Sequence, residues 1–584
     1  MFDVLAVGCS DKGKHLTTVA ELLVEGLAAT GVDKVWGVVG DALNPFVDAL
    51  HRDKRVTWNA TRHEEAAAFA AGAESQITGR IGVCAGTVGP GALHLVNGLF
   101  DAKASHVPVL AITGQVATSD IGTRFHQEAD LDAIFSPLTV YNHTLRSADQ
   151  IERVLGIAIR TTIAERGPAL ISIPADLMEE DTTDLSGPLT AASPTLLPDP
   201  AAIDAATGVI AAADKVTLLV GIGATEARQS VLRLADLAAA PIVASLRGKE
   251  SFEWDNPNYV GLTGLIGNRA AADAIDDADV LVMVGTDFPY REWLPESATV
   301  VQIDTNAAAI GRRTPVDVGI HGDAKLAIEQ ITDRLEAKPD RSRLDAARSS
   351  YAKWLEQQQK MADGTGIIGT AYSAFIDVQD GRLHPELVAR SVSRLVDDNA
   401  IVTADVGLST VWAARFLQLQ PRQRLLGSFN HASMANALPQ ALGAQSVDRN
   451  RQVVALAGDG GLMMTLGDLR TAVTLQLPIN VIVFNNQSLG LVELEEAEMG
   501  IPPTGTTLDN PSFAEIGQAM GFTGYTIDTV EKLEPVLAEA LATPGPTIID
   551  VHTSPNAVSI PPSPSIDQAW GFATSTLKEL LRRD

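Results

Sequence analysis

Short apolar runs rich in Val, Ile, Leu and Ala alternate along this chain with longer amphipathic stretches. That alternation constrains the fold more than any other feature. Strands joined by helical crossovers pair in parallel and are covered on both faces, so they read as continuous apolar runs. Three such blocks follow one another. The first, residues 15–185, has strand-like runs at 34–39, 81–85, 107–113 and 169–173, and a helical stretch at 64–74. A linker at 186–200 is rich in proline. The second block, 201–337, has runs at 216–220, 241–244, 280–284 and 300–303. A connecting segment at 338–381 holds a polar helical stretch, 341–361, and then a Gly/Ala/Ser-rich loop. The third block, 382–555, has runs at 400–404, 452–456, 480–484 and 547–551. Residues 1–14 read as an extension and 556–584 as a tail. The expected fold class is α/β, with three doubly wound parallel-sheet domains. No repeat is visible in the sequence itself. The length agrees, since 584 residues exceed the roughly 250–300 at which a single core stops growing.

Charge and cysteine usage exclude several function classes. The net charge of −28 argues against a nucleic-acid binder, whose affinity rests on cations facing phosphate, and against general attraction to anionic lipid. Any anionic ligand must then be held by local devices. With only Cys9 and Cys84 there is no disulfide framework, and a reduced cytoplasm is the default compartment. No run of about 18 apolar residues suggests a spanning helix. The stretch Leu5-Ala6-Val7-Gly8-Cys9 lacks the basic flank of a lipoprotein signal.

The third block carries the most informative motif. Gly458-Asp459-Gly460-Gly461 follows a strand-like run, and Asn485-Asn486 ends the next one. Ligands of open α/β sheets bind beyond the carboxyl ends of the strands, so Asp459 and Asn486 belong at one edge. Both offer hard oxygen ligands that suit Mg²⁺ together with phosphate oxygens. Gly458, Gly460 and Gly461 let backbone N–H groups approach a phosphate closely. Taken alone, the glycine motif also fits a tight turn with a capping Asp.

Gly458 to Asn486 resembles the signature of the thiamin-diphosphate-dependent enzymes. The resemblance implies thiamin diphosphate and Mg²⁺, with Asp459, Asn486 and the carbonyl of Ser488 as metal ligands. It places Met434, in the run His431 to Asn436, as an apolar wedge that bends the cofactor. In the first block it matches Glu64, within Arg62-His63-Glu64-Glu65, to the carboxylate that exchanges a proton with the pyrimidine ring. Glu65 reads as a helix-dipole partner. Gly89-Pro90-Gly91 and His106-Val107-Pro108-Val109 match further family segments. The family implies a cofactor shared between two subunits, hence a homodimer at least and commonly a tetramer.

The middle block narrows the resemblance. Gly221 and Gly223 begin a glycine motif whose third position is Glu226, which is weak evidence alone. Together with Arg247-Gly248-Lys249, Thr263-Gly264, Gly285-Thr286, Asp304 and Asp323-Ala324, the block resembles the FAD domain of the pyruvate oxidases. The match is closest to the pyruvate dehydrogenase (quinone) type, and acetolactate synthases are related. Arg247 and Lys249 are expected as cations near the FAD diphosphate, and Asp304 as an acceptor for ribose or adenine. A flavin-free structural domain is the alternative.

The activity implied is oxidative decarboxylation of pyruvate, or a similar 2-oxo acid, to acetate and CO₂ through a hydroxyethyl-thiamin intermediate. Electrons pass to FAD and then to quinone or another acceptor. Alternatives are a non-oxidative decarboxylase or acetolactate-synthase-like transferase with structural FAD, and a catalytically silent scaffold. Gln127 is expected at the substrate carboxylate or ring system, and Glu495 as a second active-site carboxylate. Two departures stand out. His126 occupies the family's Phe position in Phe125-His126-Gln127-Glu128, introducing a titratable ring. The stub Leu577 to Arg583 is short and nearly neutral, unlike an anchoring amphipathic tail. A cytoplasmic enzyme, at most peripheral to the inner face of the membrane, is expected.

Overall fold

A computed structural model describes residues 17–190, 195–365, 382–555 and 557. The extension read at 1–14, the loop that ends at Gly381 and the tail beyond 557 lie outside the described residues. The chain divides into two compact units, residues 1–192 and 193–584. No helix among the described residues is long and apolar enough to cross a membrane.

The first unit contains β1 (Thr17–Thr18), β2 (Lys34–Gly37), β3 (Thr57–Ala60), β4 (Gly82–Gly86), β5 (Val109–Gln115), β6 (Tyr141–Thr144), β7 (Pro168–Pro174) and β8 (Asp181–Thr182). β1 and β8 form a short antiparallel pair. The other six make a parallel sheet in the order β3-β2-β4-β5-β7-β6. Every residue of β5 and β7 is buried, as strands covered on both faces should be. The alanine-rich helix Glu64–Thr78 is capped by the His63 ring at its start and by Gly79 in a left-handed conformation at its end.

The second unit contains two further parallel sheets. One comprises β9 (Val216–Val220), β10 (Ile242–Ala244), β11 (Tyr259–Leu262), β12 (Val280–Val284), β13 (Thr299–Asp304) and β14 (Val318–His321), in the order β11-β10-β9-β12-β13-β14. The other comprises β15 (Ile401–Ala404), β16 (Arg424–Gly427), β17 (Val453–Gly458), β18 (Asn480–Asn485), β19 (Thr523–Ile527) and β20 (Thr547–His552), in the order β16-β15-β17-β18-β20-β19. The expected α/β class with three parallel-sheet domains is therefore what the chain adopts.

Counted within each sheet, the first and third share one strand order, 2-1-3-4-6-5. The second has the order 3-2-1-4-5-6, that of doubly wound dinucleotide-binding sheets. Two glutamates bind the second sheet's domain to the third's. Glu250 Oε2 accepts from Arg424 Nε at 3.1 Å and from Leu425 N at 2.9 Å. Glu253 Oε2 accepts from Leu419 N at 2.9 Å.

Candidate active site

Asp459 opens the helix Asp459–Met464 directly after β17, and Asn486 follows β18. The two strands pair in register, with Gly458 opposite Phe484, so both side chains stand at one sheet edge. Asp459, Asn486 and Ser488 are all buried. Asp459 Oδ1 accepts from Gly460 N at 2.8 Å. Its Oδ2 accepts from Gln487 N at 2.7 Å and from Asn510 Nδ2 at 2.8 Å. Burial pushes this carboxyl up to about 6, against the downward pull of those donors. Asn486 Oδ1 accepts from Ser488 N at 3.1 Å, and the Ser488 hydroxyl donates to Glu493.

Gly460 sits at the bottom of an apolar cradle. A Cβ there would stand 2.8 Å from Leu489 Cδ2, 3.3 Å from Leu508 Cδ1 and 3.4 Å from Met434 Cε. Met434 is thus brought to the glycine motif. It lies between Ala432 (φ 62°) and Ala435 (φ 67°), two non-glycine residues in the left-handed region. Such strain persists only where surrounding contacts hold it, and it clusters at ligand clamps. Here Ser433 N donates to Ser428 Oγ at 3.1 Å and Ala432 N to Ser428 O at 2.6 Å.

Sequence reasoning missed Asp405. It follows β15, next to β17, and is 1 % exposed. One oxygen accepts from Ala437 N at 2.9 Å, the other from Gly458 N at 3.1 Å. It thereby ties the Met434 loop to the glycine motif. Burial pushes its carboxyl up to about 7, and its N–H donors pull the other way. The unfolded chain titrates near 3.9. The folded protein therefore holds a proton that the unfolded chain releases, and stability falls as pH rises from about 4 to about 7. Denaturation midpoints followed from about pH 5 to about pH 8 should decline and then level off. In Asp405→Asn, which does not ionise, the decline should be shallower. Identical profiles would remove Asp405 as its source.

In the first unit Glu64 is the first residue of its helix and is 7 % exposed. Its Oε2 lies 2.9 Å from His94 Nδ1, and the His94 ring stacks on His63 at 4.4 Å. Glu65 instead accepts from Asn97 Nδ2 at 2.7 Å, a structural partnership. Gly89 needs its φ of 64°, and a Cβ there would stand 2.5 Å from the backbone oxygen of Gln127. The loop bearing His126 and Gln127 therefore packs on the Gly89-Pro90-Gly91 turn. His126 and Gln127 are themselves exposed. Glu128 closes this loop by accepting from Gly122 N and Phe125 N.

The residues expected around FAD lie at one edge of the second sheet. Gly221 and Gly223 follow β9, Arg247 to Lys249 follow β10, and Thr263-Gly264 follow β11. Gly285-Thr286 follow β12, Asp304 ends β13, and Asp323-Ala324 follow β14. The switch point of this order lies between β9 and β12. There the glycines permit close backbone crossing. A Cβ on Gly285 would stand 2.4 Å from Gly223 C, and one on Gly221 would stand 2.4 Å from Gly285 O. Thr263 Oγ1 is buried at this edge and has no hydrogen-bond partner among the described residues.

Some expected residues have other partners. Lys249 is 2 % exposed and pairs with Glu253 Oε1, one helical turn on, so its ammonium is engaged within the chain. Asp323 caps the helix Ala324–Thr332 by accepting from Leu326 N. Asp304 Oδ1 accepts from Asn306 N. Glu495 is exposed on the helix Gly490–Glu498; Glu493 is the carboxylate that meets Ser488. A separate cleft of about 750 Å³ lies among Glu253, Tyr259, Arg348, Tyr351 and Arg415, where the chain leads into β11 and β16 rather than out of them.

Comparison with known proteins agrees with the three-domain organisation. Three family models match: the N-terminal TPP binding domain of thiamine pyrophosphate enzymes over residues 17–134, the central domain over 203–331, and the C-terminal TPP binding domain over 405–551. A putative thiamine pyrophosphate-containing protein, YdaP, of Bacillus subtilis is 35% identical over 570 residues, 97% of this chain and 96% of that protein. Pyruvate oxidase of Lactiplantibacillus plantarum is 31% identical, covering 90% of this chain and 87% of its own. Acetolactate synthase of Mycobacterium bovis is 33% identical, covering 91% and 87%. The parallel sheets, the edge that unites Asp459 with Asn486, and full-length similarity together place the chain in the thiamine pyrophosphate enzyme family.

Proposed function

We propose that the protein decarboxylates pyruvate or a similar small 2-oxo acid oxidatively, using thiamin diphosphate, Mg²⁺ and FAD. The products are acetate and CO₂, with water supplying the acetate oxygen and two electrons leaving through the flavin to quinone or another acceptor. One observation supports the flavin on which the oxidative reading depends. The second sheet has the dinucleotide strand order, and its glycine crossing and orphaned Thr263 hydroxyl lie at the same edge. Both fit a flavin nucleotide. The third sheet's edge fits the other groups, with hard oxygens at Asp459 and Asn486 and a cradle at Gly460.

When bound, thiamin diphosphate supplies the nucleophilic carbon and the electron sink for decarboxylation, and FAD the two-electron acceptor. The protein's own contributions follow from its residues. Asp459, Asn486 and the Ser488 carbonyl would hold the cation. Met434, Leu489 and Leu508 give an apolar wall that excludes water. Glu64 would exchange a proton with the pyrimidine ring through one oxygen, the other being fixed by His94. Gln127, His126 and Glu495 are assigned to the substrate side. Met463, Met464, Val492 and Met499 are exposed near the glycine motif and the helix after Asn486, which supports coverage by a second copy of the chain. A homodimer, or a tetramer built from two, and a cytoplasmic location complete the reading.

A second reading is supported by the relatives, which include an acetolactate synthase as well as a pyruvate oxidase. In it the flavin is structural and the reaction non-oxidative. Anaerobic addition of pyruvate to the purified enzyme with thiamin diphosphate and Mg²⁺ separates the two. Rapid loss of the oxidised flavin band is the expected result. Release of CO₂ with the flavin still oxidised supports the second reading, and a protein that carries no flavin defeats the first.

A further inference from the structure

Asn510 lies between the helix Gly490–Glu498 and the helix Phe513–Met520, in a segment without regular structure. Its amide nitrogen donates twice, to Asp459 Oδ2 at 2.8 Å and to Asn485 Oδ1 at 3.2 Å. Asn485 Nδ2 in turn donates to Asp550 Oδ1 at 3.0 Å. The other Asp550 oxygen accepts from Phe513 N at 2.9 Å. A chain of polar groups therefore runs from Asp459 across β18 to β20 and back to the helix that follows Asn510. Asp550 is fully buried and Asn485 nearly so, which fixes the far end of the chain.

The consequence for Asp459 follows from counting acceptor positions. A carboxylate has about four lone-pair positions. Gln487 N and Asn510 Nδ2 occupy both positions of Oδ2, and Gly460 N occupies one of Oδ1. Among the described residues Oδ1 accepts from one other residue and Oδ2 from two, so Oδ1 is the less occupied oxygen. We infer that Asn510 is a positioning residue for the divalent cation: braced by Asn485 and Asp550, it holds Oδ2 and so sets Oδ1 as the ligating oxygen. This inference rests on the proposed cation site. Partners of this kind behind a metal ligand change affinity by about 10- to 100-fold when removed.

The test is direct titration of Mn²⁺ by electron paramagnetic resonance, with thiamin diphosphate present, on wild type, Asn510→Ala and Asn510→Ser. The serine variant keeps a hydroxyl that cannot bridge both acceptors, and it serves if the alanine variant does not fold. Both variants should bind Mn²⁺ about 10- to 100-fold more weakly. The half-activating Mg²⁺ concentration should rise by a similar factor, more than any fall in kcat at saturating Mg²⁺. Wild-type binding with unchanged affinity in the variants would overturn this inference alone. Failure of wild type to bind Mn²⁺ would overturn the cation site and the inference together.

Discussion

Glu64→Gln should lower turnover by about 10²- to 10⁴-fold, the usual contribution of a positioned acid–base group, while the fold remains intact. Gln has nearly the shape of Glu, and its amide oxygen still meets His94 Nδ1, now 2.9 Å from Glu64 Oε2. The helix keeps its His63 cap and the Glu65–Asn97 bond, so its start is secure without the charge. What Gln lacks is the capacity to give and take a proton. The loss should therefore appear in kcat, with thiamin diphosphate still bound. Steady-state CO₂ release, paired with a melting curve and cofactor titration, measures all three. Turnover within about threefold of wild type would refute the role given to Glu64.

The strands legible in the sequence are the four central ones of each sheet. Those missed are the short β1–β8 pair and the two edges of each six-stranded sheet: β3 and β6, β11 and β14, β16 and β19. The reason is burial. A central parallel strand is covered on both faces and both sides, so Val280–Val284 is apolar throughout. An edge strand is half wet. Thr57–Ala60 (TWNA) and Val318–His321 (VGIH) are mostly exposed or half-exposed, and their short mixed sequences resemble loops. β11 and β16 escape differently: both are mostly buried, but each spans only four residues, β11 is interrupted by Gly261 at φ 104° and β16 begins with Arg424. The shared strand order of the first and third sheets was invisible for another reason. Strand order is set by which crossover passes which face, and no residue pattern records it.

The candidate site divides in the same way. Asp459, Asn486 and Glu64 were legible because local motifs carry them. Asp405, Asn510, Glu493 and His94 were not, because each acts through a partner that the fold delivers. Asp405 reaches Gly458 across neighbouring strands, and Asn510 reaches Asp459 from a loop far along the chain. Lys249 shows the converse case. Its sequence setting suggested a free cation, but Glu253 lies one turn on and both are folded inward. Charges near a ligand edge inform function only once their intramolecular partners are known.

Asp459→Asn should weaken divalent-cation binding by more than about 100-fold, beyond the effect of losing a partner behind the ligand. The amide can be placed in two ways, and each fails. With Nδ2 in the Oδ1 position, a donor faces Gly460 N and stands where the cation needs an acceptor. With Nδ2 in the Oδ2 position, it faces two donors, Gln487 N and Asn510 Nδ2. Rotating the Asn510 amide relieves one of these but turns its oxygen toward Asn485 Oδ1, an acceptor. Either the cation or the polar chain behind it is lost, and a buried mismatch of this kind costs about 1–3 kcal/mol. Activity at about millimolar Mg²⁺ should fall to background, and the melting temperature should lose its dependence on added cation and thiamin diphosphate. Cation titration and melting curves with and without Mg²⁺ give both readings. A variant that binds the cation as tightly as wild type would remove Asp459 from the site.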